Sequence, residues 1–145
     1  GILEADDYRQ FSLSFMQQII DGLHLKQMES EVPVILFTKG AGSKISDMSN
    51  TGCNALGIDW TMTLSQAREL TNNKLALQGN LNPNILTKSE VEIQQAVADV
   101  LADYGSSTGH VFNLGHGITP DIDPAKVKLL VDTVHDLSKQ YHKSY

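Results

Sequence analysis

The sequence is poor in cysteine, arginine and basic charge, and it lacks long apolar runs. Cys53 is the single cysteine, which excludes an intrachain disulfide framework. Eleven basic and seventeen acidic side chains give a net charge of −6, and no basic stripe is interleaved with aromatic residues. We therefore expect no nucleic-acid partner. No stretch approaches about 20 consecutive apolar residues, so we expect no span across a membrane.

What remains is the composition of an ordinary globular protein, with 41% hydrophobic residues. The first ten residues, "GILEADDYRQ", contain no initiator Met, no basic segment and no apolar core with a cleavage site. They resemble neither a native start nor a signal peptide. We therefore expect a cytoplasmic protein of which this chain is a part.

Strand and helix patterns alternate along the chain. Apolar residues that step by three and four predict a first helix, with Asp6 as its N-cap and Gly22 near its end. These residues are Tyr8, Phe11, Phe15, Ile19 and Leu23. The branched run Val32–Phe37, followed by glycines, predicts a strand that is buried on both faces. Further strands are predicted at Ala55–Asp59, Lys74–Gln78 and His110–Leu114.

Short signals mark the helices between these strands. Thr63 with Gln66, and Thr87 with Glu90, have the spacing of a capping box. The helix after Thr87 is predicted to end at Gly105 and to bury Val91, Ile93, Val97, Val100 and Leu101. Asp123 is the predicted N-cap of a last helix that begins with Pro124. Its apolar stripe consists of Val127, Leu130, Val131, Val134 and Leu137.

Four buried strands, each followed by a helix, predict a parallel sheet with helical crossovers and hence the α/β fold class. A flavodoxin-like sheet and a (β/α)8 barrel both fit, and both place ligands at the carboxyl ends of the strands. Those ends are "FTKGAG", "IDW", "LQGN" and "NLGHG". A complete barrel needs about 250 residues, so four units in 145 residues amount to half of one.

Five segments resemble the C-terminal portion of the uroporphyrinogen decarboxylase family. They are "VPVILFTKGAG", "TGCNALGIDWT", "ALQGNLNP", "GHVFNLGHGITPDIDP" and "VDTVHDLSKQYH", in this order and spacing. The resemblance implies a (β/α)8 TIM barrel, with residues 1–145 as a single partial domain, its C-terminal half. It implies a cytoplasmic homodimer that removes carbon dioxide from the four acetate side chains of uroporphyrinogen III to give coproporphyrinogen III in haem biosynthesis. Neither metal nor organic cofactor is implied.

The resemblance also limits which site residues can be assigned. The family's substrate-binding arginines, an essential aspartate and a tyrosine belong to the absent half, so no catalytic residue is assigned here. The histidine of "NLGHG", His116, is the substrate-binding residue that the resemblance places in this chain. The implied partner is a small tetrapyrrole with eight carboxylates, for which arginine is a natural ligand, and this chain has only Arg9 and Arg68.

His116 can also be interpreted from its chemistry. It follows a strand and lies between Gly115 and Gly117, where the backbone can bend sharply and a ligand can approach closely. A pyrrole protonated at carbon provides its own electron sink for decarboxylation, so the protein must place carboxylates and stabilise charge. A histidine that hydrogen-bonds a carboxylate or a pyrrole suits that need. The alternative is a loop histidine that caps the next helix or bonds a carbonyl.

The other candidates have structural interpretations beside the functional ones. Asp59 could place a carboxylate in the cleft, but bonding to loop amides is favoured. Lys39 either attracts an anionic substrate or is a solvated loop residue, and both remain open. Gln78 and Asn80 are interpreted as loop organisers, and Asn113 as the residue that orients the "NLGHG" turn. The remaining histidines, His24, His110, His135 and His142, are interpreted as structural.

Two alternative functions remain. Cobamide-dependent methyltransferases share the fold but bind zinc through a His-x-Cys-Gly stretch, where this chain has Phe37 and Lys39. With Cys53 alone, a thiolate zinc site is disfavoured. The second alternative is a half barrel without chemistry, which works by pairing. Because half a barrel exposes two strand edges, we expect the chain to self-associate.

Overall fold

The computed structural model describes residues 3–24 and 32–141. Its strands are β1 (Ile35–Phe37), β2 (Ala55–Gly57), β3 (Ala76–Leu81) and β4 (His110–Leu114). Its helices are α1 (Ala5–Tyr8), α2 (Ser14–His24), α3 (Ile45–Ser49), α4 (Leu64–Leu70), α5 (Glu90–Tyr104) and α6 (Pro124–Ser138). None of the helices in these ranges is long and apolar enough to cross a membrane. His142 and the side chain of His24 lie outside the described residues.

The strands form one parallel sheet in the order β1-β2-β3-β4. At least one helix lies between each pair of successive strands, as a parallel crossover requires. The predicted α/β class and the predicted run of four parallel strands are confirmed. All four strands therefore end at the same edge of the sheet, which gathers the four polar turns predicted from the sequence.

One face of the sheet is packed under the helices. Leu36, Leu56 and Leu77 lie side by side in one row, and each is buried. We call this row and its side of the sheet the covered face. It packs against a core of helix residues that includes Tyr8, Ile20, Ile45, Met48, Leu64 and Ala67. A second core joins α5 and α6 to the end of β3 through Leu81, Ile93, Val97, Leu101 and Leu130.

The alternate residues of the same strands point to the other side, which we call the open face. Phe37, Gly57, Gln78 and Val111 form one row of it. Ile35 and Phe37 are 47% and 42% exposed, so the prediction that the first strand is buried on both faces is wrong. The strand is also shorter than predicted, because residues 32–34 precede the first ladder pair.

The first helix confirms the predicted element but not its environment. It consists of α1, a π-helical turn at Arg9–Leu13 and α2, which follow one another without a break. Its N-cap is Glu4 and not Asp6, which instead forms an ion pair with Arg9 at 3.0 Å. Tyr8 is buried, whereas the rest of the predicted apolar side is exposed. We call these exposed residues the first-helix stripe: Phe11 (60%), Phe15 (57%), Ile19 (64%) and Leu23 (45%).

The capping predictions had mixed outcomes. Thr63 and Gln66 form the predicted box, and Asp123 caps α6 with Pro124 in its first turn. The box at Thr87 is wrong: Thr87 ends a 3-10 helix, and α5 is capped by Ser89 with Glu92. Gly105 ends α5 at φ 79°, a backbone angle that glycine adopts readily.

Two of the predicted inward residues face solvent. Val91 in α5 and Val131 in α6 are exposed, which contradicts their place in the predicted stripes. Val91 is two residues from the buried Ile93, and two residues turn an α-helix by about 200°, so the two side chains lie on opposite sides. The helical period itself is confirmed for the other members of the two stripes, all of which are buried or partly buried.

Candidate functional site

The carboxyl ends of the strands surround a concavity of about 480 Å³ on the open face. Its lining comprises Phe37, Gly57, Ile58, Gln78 and residues 113–118. Parallel α/β folds place their ligands at this end of the sheet. The cavity therefore lies where the sequence predicted a site, and it includes the whole "NLGHG" segment.

His116 lies in this lining, directly beyond β4, and its side chain is exposed. The imidazole makes no hydrogen bond to the described part of the chain. The helix-capping role weighed for it belongs to Asp123, whose carboxylate accepts from the Ala125 N–H at 2.9 Å. The ring is therefore available to a ligand in the cavity.

The two glycines beside His116 differ from each other. A Cβ on Gly115 would lie 2.9 Å from both Asp59 Cα and Trp60 N, whereas a Cβ on Gly117 would meet nothing within 4 Å. Neither glycine has a backbone angle that only glycine adopts readily. The expected sharp bend is therefore not what glycine provides here. Gly115 lets the turn after β4 lie directly on the turn after β2.

Asp59 is buried and accepts three hydrogen bonds from the turns around it. The donors are the Gly40 N–H, the Thr61 N–H at 2.9 Å and the Thr61 hydroxyl at 2.5 Å. Burial by itself would raise the pKa of Asp59, but the bonds from Thr61 and Gly40 outweigh it and lower the pKa below its ordinary value. Asp59 is therefore ionised near neutral pH and bonds loop amides, as the sequence favoured.

The neighbouring polar candidates separate into two groups. Asn80 is buried and donates to the carbonyls of Asp59 (3.2 Å) and Met62 (2.5 Å), so it organises the turns as interpreted. Gln78, interpreted in the same way, instead lines the cavity. Asn113 also lines it, and its Oδ1 accepts from the Leu114 N–H at 2.9 Å.

Lys39 is exposed at the edge of the site, with its Nζ 5.7 Å from the centroid of the Trp60 ring. This distance is within the range of a cation–π contact. Lys39 is not part of the cavity lining, and the contact with Trp60 brings its ammonium group to the turn that Asp59 organises.

Two of the residues with a structural interpretation, His110 and Cys53, make contacts inside the protein. His110 stacks on Tyr104 at 4.4 Å between ring centroids, and its Nε2 lies 3.0 Å from the Gly79 carbonyl. Cys53 is buried, with Sγ 3.7 Å from the Met48 carbonyl. Within residues 3–24 and 32–141, no group of three His, Cys, Asp or Glu side chains is arranged to hold a metal ion.

Sequence reasoning missed Thr61, which donates twice to Asp59. The signal was present, because an aspartate commonly accepts from the backbone two residues further on. It also missed Ile118, whose place in the lining depends on how the turn after β4 folds back.

Comparisons with known proteins give a consistent result. The family model described as uroporphyrinogen decarboxylase (URO-D) matches residues 1–137. The uroporphyrinogen decarboxylase of Tolumonas auensis is 47% identical over 99% of this chain, which spans 41% of that protein. The one of Hydrogenovibrio crunogenus is 49% identical, over 99% of this chain and 40% of its own length. This chain thus spans about 40% of the length of these curated relatives.

Among solved structures, a methyltransferase from Methanosarcina mazei superimposes with a TM-score of 0.74 and 21% sequence identity. The match covers 92% of this chain and 38% of that chain. At this identity the likeness concerns the fold alone.

Proposed function

Because the chain belongs to the uroporphyrinogen decarboxylase family, we propose that the whole protein removes carbon dioxide from the acetate side chains of uroporphyrinogen. The four βα units of this chain are then part of a (β/α)8 barrel, and the open face is part of the barrel interior. The observation that carries the proposal is the high identity, over nearly the whole chain, to relatives that bear this name.

In this function His116 contributes one wall of the cleft, where it donates a hydrogen bond to a substrate carboxylate or meets a pyrrole. Three features support this role: its ring is exposed, it has no bond within the described residues, and it lies on the cavity beside Gln78 and Asn113. The substrate is its own electron sink, because protonation of a pyrrole carbon draws in the electron pair of the bond that breaks. Carbon dioxide leaves, and a proton takes its place on the methylene carbon, which becomes a methyl group. The ring carbon then releases the proton that it had taken up, which restores the pyrrole.

We extend the proposal to location and assembly: the whole protein acts in the cytoplasm, as a homodimer, in porphyrin biosynthesis. The low cysteine content suits a reducing compartment, because the single thiol is buried and has no cysteine partner. No metal or organic cofactor is required, since the pyrrole supplies the sink.

The decisive experiment compares the 145-residue chain with the whole protein, both incubated anaerobically with uroporphyrinogen. We expect coproporphyrinogen from the whole protein only, because this chain carries His116 on an open face and spans about 40% of its relatives. Turnover by the 145-residue chain would contradict the predicted inactivity of the fragment. No turnover by the whole protein would contradict the function.

A metal assay separates the decarboxylase from the zinc-dependent methyltransferase alternative. We expect the purified whole protein to contain far less than one zinc per chain, and its activity to be unchanged by a chelator. Near-stoichiometric zinc, with activity lost on chelation, would favour the methyltransferase.

A further inference from the structure

The turn after β2, residues Asp59–Thr61, contacts the turns after β1 and β4 and the end of β3; we call it the Asp59 turn. The Asp59 carboxylate accepts from the Gly40 N–H in the turn after β1. Its other oxygen accepts twice from Thr61, which fixes the shape of the Asp59 turn itself. One buried carboxylate thus joins the ends of β1 and β2.

The remaining two strand ends hold the same turn from the other side. Asn80, near the end of β3, donates to the carbonyl of Asp59 and to that of Met62. Gly115, just after β4, lies so close that even a methyl group there would be 2.9 Å from Asp59 Cα and Trp60 N. A displacement of the Asp59 turn must therefore move its neighbours or open a gap.

His116 in the cavity lining and Lys39 at the edge of the site are each one residue from a contact with this turn. Lys39 precedes Gly40, whose N–H binds the carboxylate, and the Lys39 ammonium group also approaches Trp60. His116 follows Gly115, whose backbone packs on Asp59 and Trp60. We propose that Asp59 is a positioning residue, which sets where His116 and Lys39 stand relative to a substrate in the cavity. The role rests on the function proposed above.

The chemistry of the turn needs a carboxylate and not an amide. All three groups that meet the two oxygens of Asp59 are donors, and a carboxylate offers acceptors only. In Asp59→Asn the side-chain NH2 group would replace one acceptor oxygen and face a donor, so at least one of these hydrogen bonds would be lost. The volume of the side chain would hardly change. This substitution therefore tests the bonding of the turn without creating a cavity.

Asp103 provides a matched control. It also accepts two backbone N–H bonds, from Leu64 (2.7 Å) and Ser65 (3.2 Å), and one hydroxyl bond, from Ser65 (2.6 Å). These bonds hold the start of α4 against α5, and Asp103 contacts neither Lys39 nor His116. Asp103→Asn thus removes the same kind of bonding from a place that does not adjoin the proposed substrate contacts.

The experiment measures steady-state decarboxylation by the whole protein carrying Asp59→Asn, Asp103→Asn or His116→Ala, and by the two double variants with His116→Ala. We expect Asp59→Asn to lower kcat/KM roughly tenfold or more, as misplacement of a binding group does, and Asp103→Asn to leave it within about threefold. Combined with His116→Ala, Asp59→Asn should lose most of its effect, because both changes remove the same contact. Equal losses in the two Asn variants, or additive losses for Asp59 and His116, would overturn the proposal.

Two further measurements keep the test decisive. Trp60 is the single tryptophan of this chain, so its emission in the 145-residue chain reports on the Asp59 turn. We expect the emission maximum to shift in Asp59→Asn and to shift less in Asp103→Asn. An unchanged emission spectrum in Asp59→Asn would overturn the proposal. This result does not depend on whether uroporphyrinogen is the substrate. Should Asp59→Asn not fold, Thr61→Val removes only the 2.5 Å hydroxyl bond and should show the same effects at smaller size.

Discussion

The covered and open faces of the sheet are built from alternate residues of the same strands, yet only the covered face is shielded from solvent. Leu36, Leu56 and Leu77 are at most 9% exposed, whereas Ile35, Phe37 and Val111 are 42–47% exposed. Strand propensity cannot account for this difference in exposure, because successive residues of one strand point to opposite faces and both faces therefore come from the same strands. The helical layer supplied by this chain accounts for it. The helices of this chain thus pack on the covered face, while the cavity lies on the open face.

The prediction with the largest expected effect tests whether the covered face contributes more to the free energy of unfolding than the open face does. Leu77→Ala removes a fully buried side chain, and we expect it to lower the free energy of unfolding by about 2–5 kcal/mol. Phe37→Ala removes a larger side chain from the open face, and we expect a loss less than half as large, because Phe37 is already partly hydrated. Urea unfolding of both variants of the 145-residue chain measures the difference. Equal losses would show that the open face is buried in solution.

The sequence predicted the fold class because each strand and helix carries a local signal. The bounds of β4, the box of Thr63 with Gln66 and the cap at Asp123 all follow from patterns within a few residues. The misplaced cap of α5 shows the limit of such signals. Thr87 with Glu90 and Ser89 with Glu92 have the same spacing two residues apart, and the 3-10 helix that begins at Pro83 decides between them.

Which apolar residues are covered could not be predicted, because periodicity specifies a side of an element but not what packs on it. The first-helix stripe and the outer residues of β1, Ile35 and Phe37, are as apolar as the buried elements. They are nevertheless exposed, because the described part of this chain packs no neighbour on them. The site shows the same division. Periodicity predicted that His116 follows a strand, but the bond between Asp59 and Gly40 joins turns 19 residues apart and depends on strands pairing in parallel.

A second prediction concerns the boundary between the two faces, where the turn after β4 crosses the Asp59 turn. Gly115→Ala forces a Cβ to within 2.9 Å of backbone atoms, and we expect a loss of about 1–3 kcal/mol in the free energy of unfolding. Gly117→Ala has open space around it, and we expect a change within about 0.5 kcal/mol. Thermal unfolding of the 145-residue chain compares them. A Gly115→Ala variant as stable as Gly117→Ala would mean that the two turns are not in contact.

The smallest expected effect concerns how the exposed apolar surfaces of the 145-residue chain behave in solution. We expect the 145-residue chain to self-associate through the edges of its sheet and the first-helix stripe, because both present unsatisfied surface. Ile19→Ser removes an apolar side chain that is 64% exposed, so it should weaken association roughly tenfold with little change in the free energy of unfolding. Val91→Ser changes a site on α5 outside the stripe that is 73% exposed; it is the control and should change neither quantity. Light scattering over a range of concentrations measures the association. If the unsubstituted chain is monomeric at all concentrations, or if the two substitutions have equal effects, the chain does not associate through its sheet edges and the first-helix stripe.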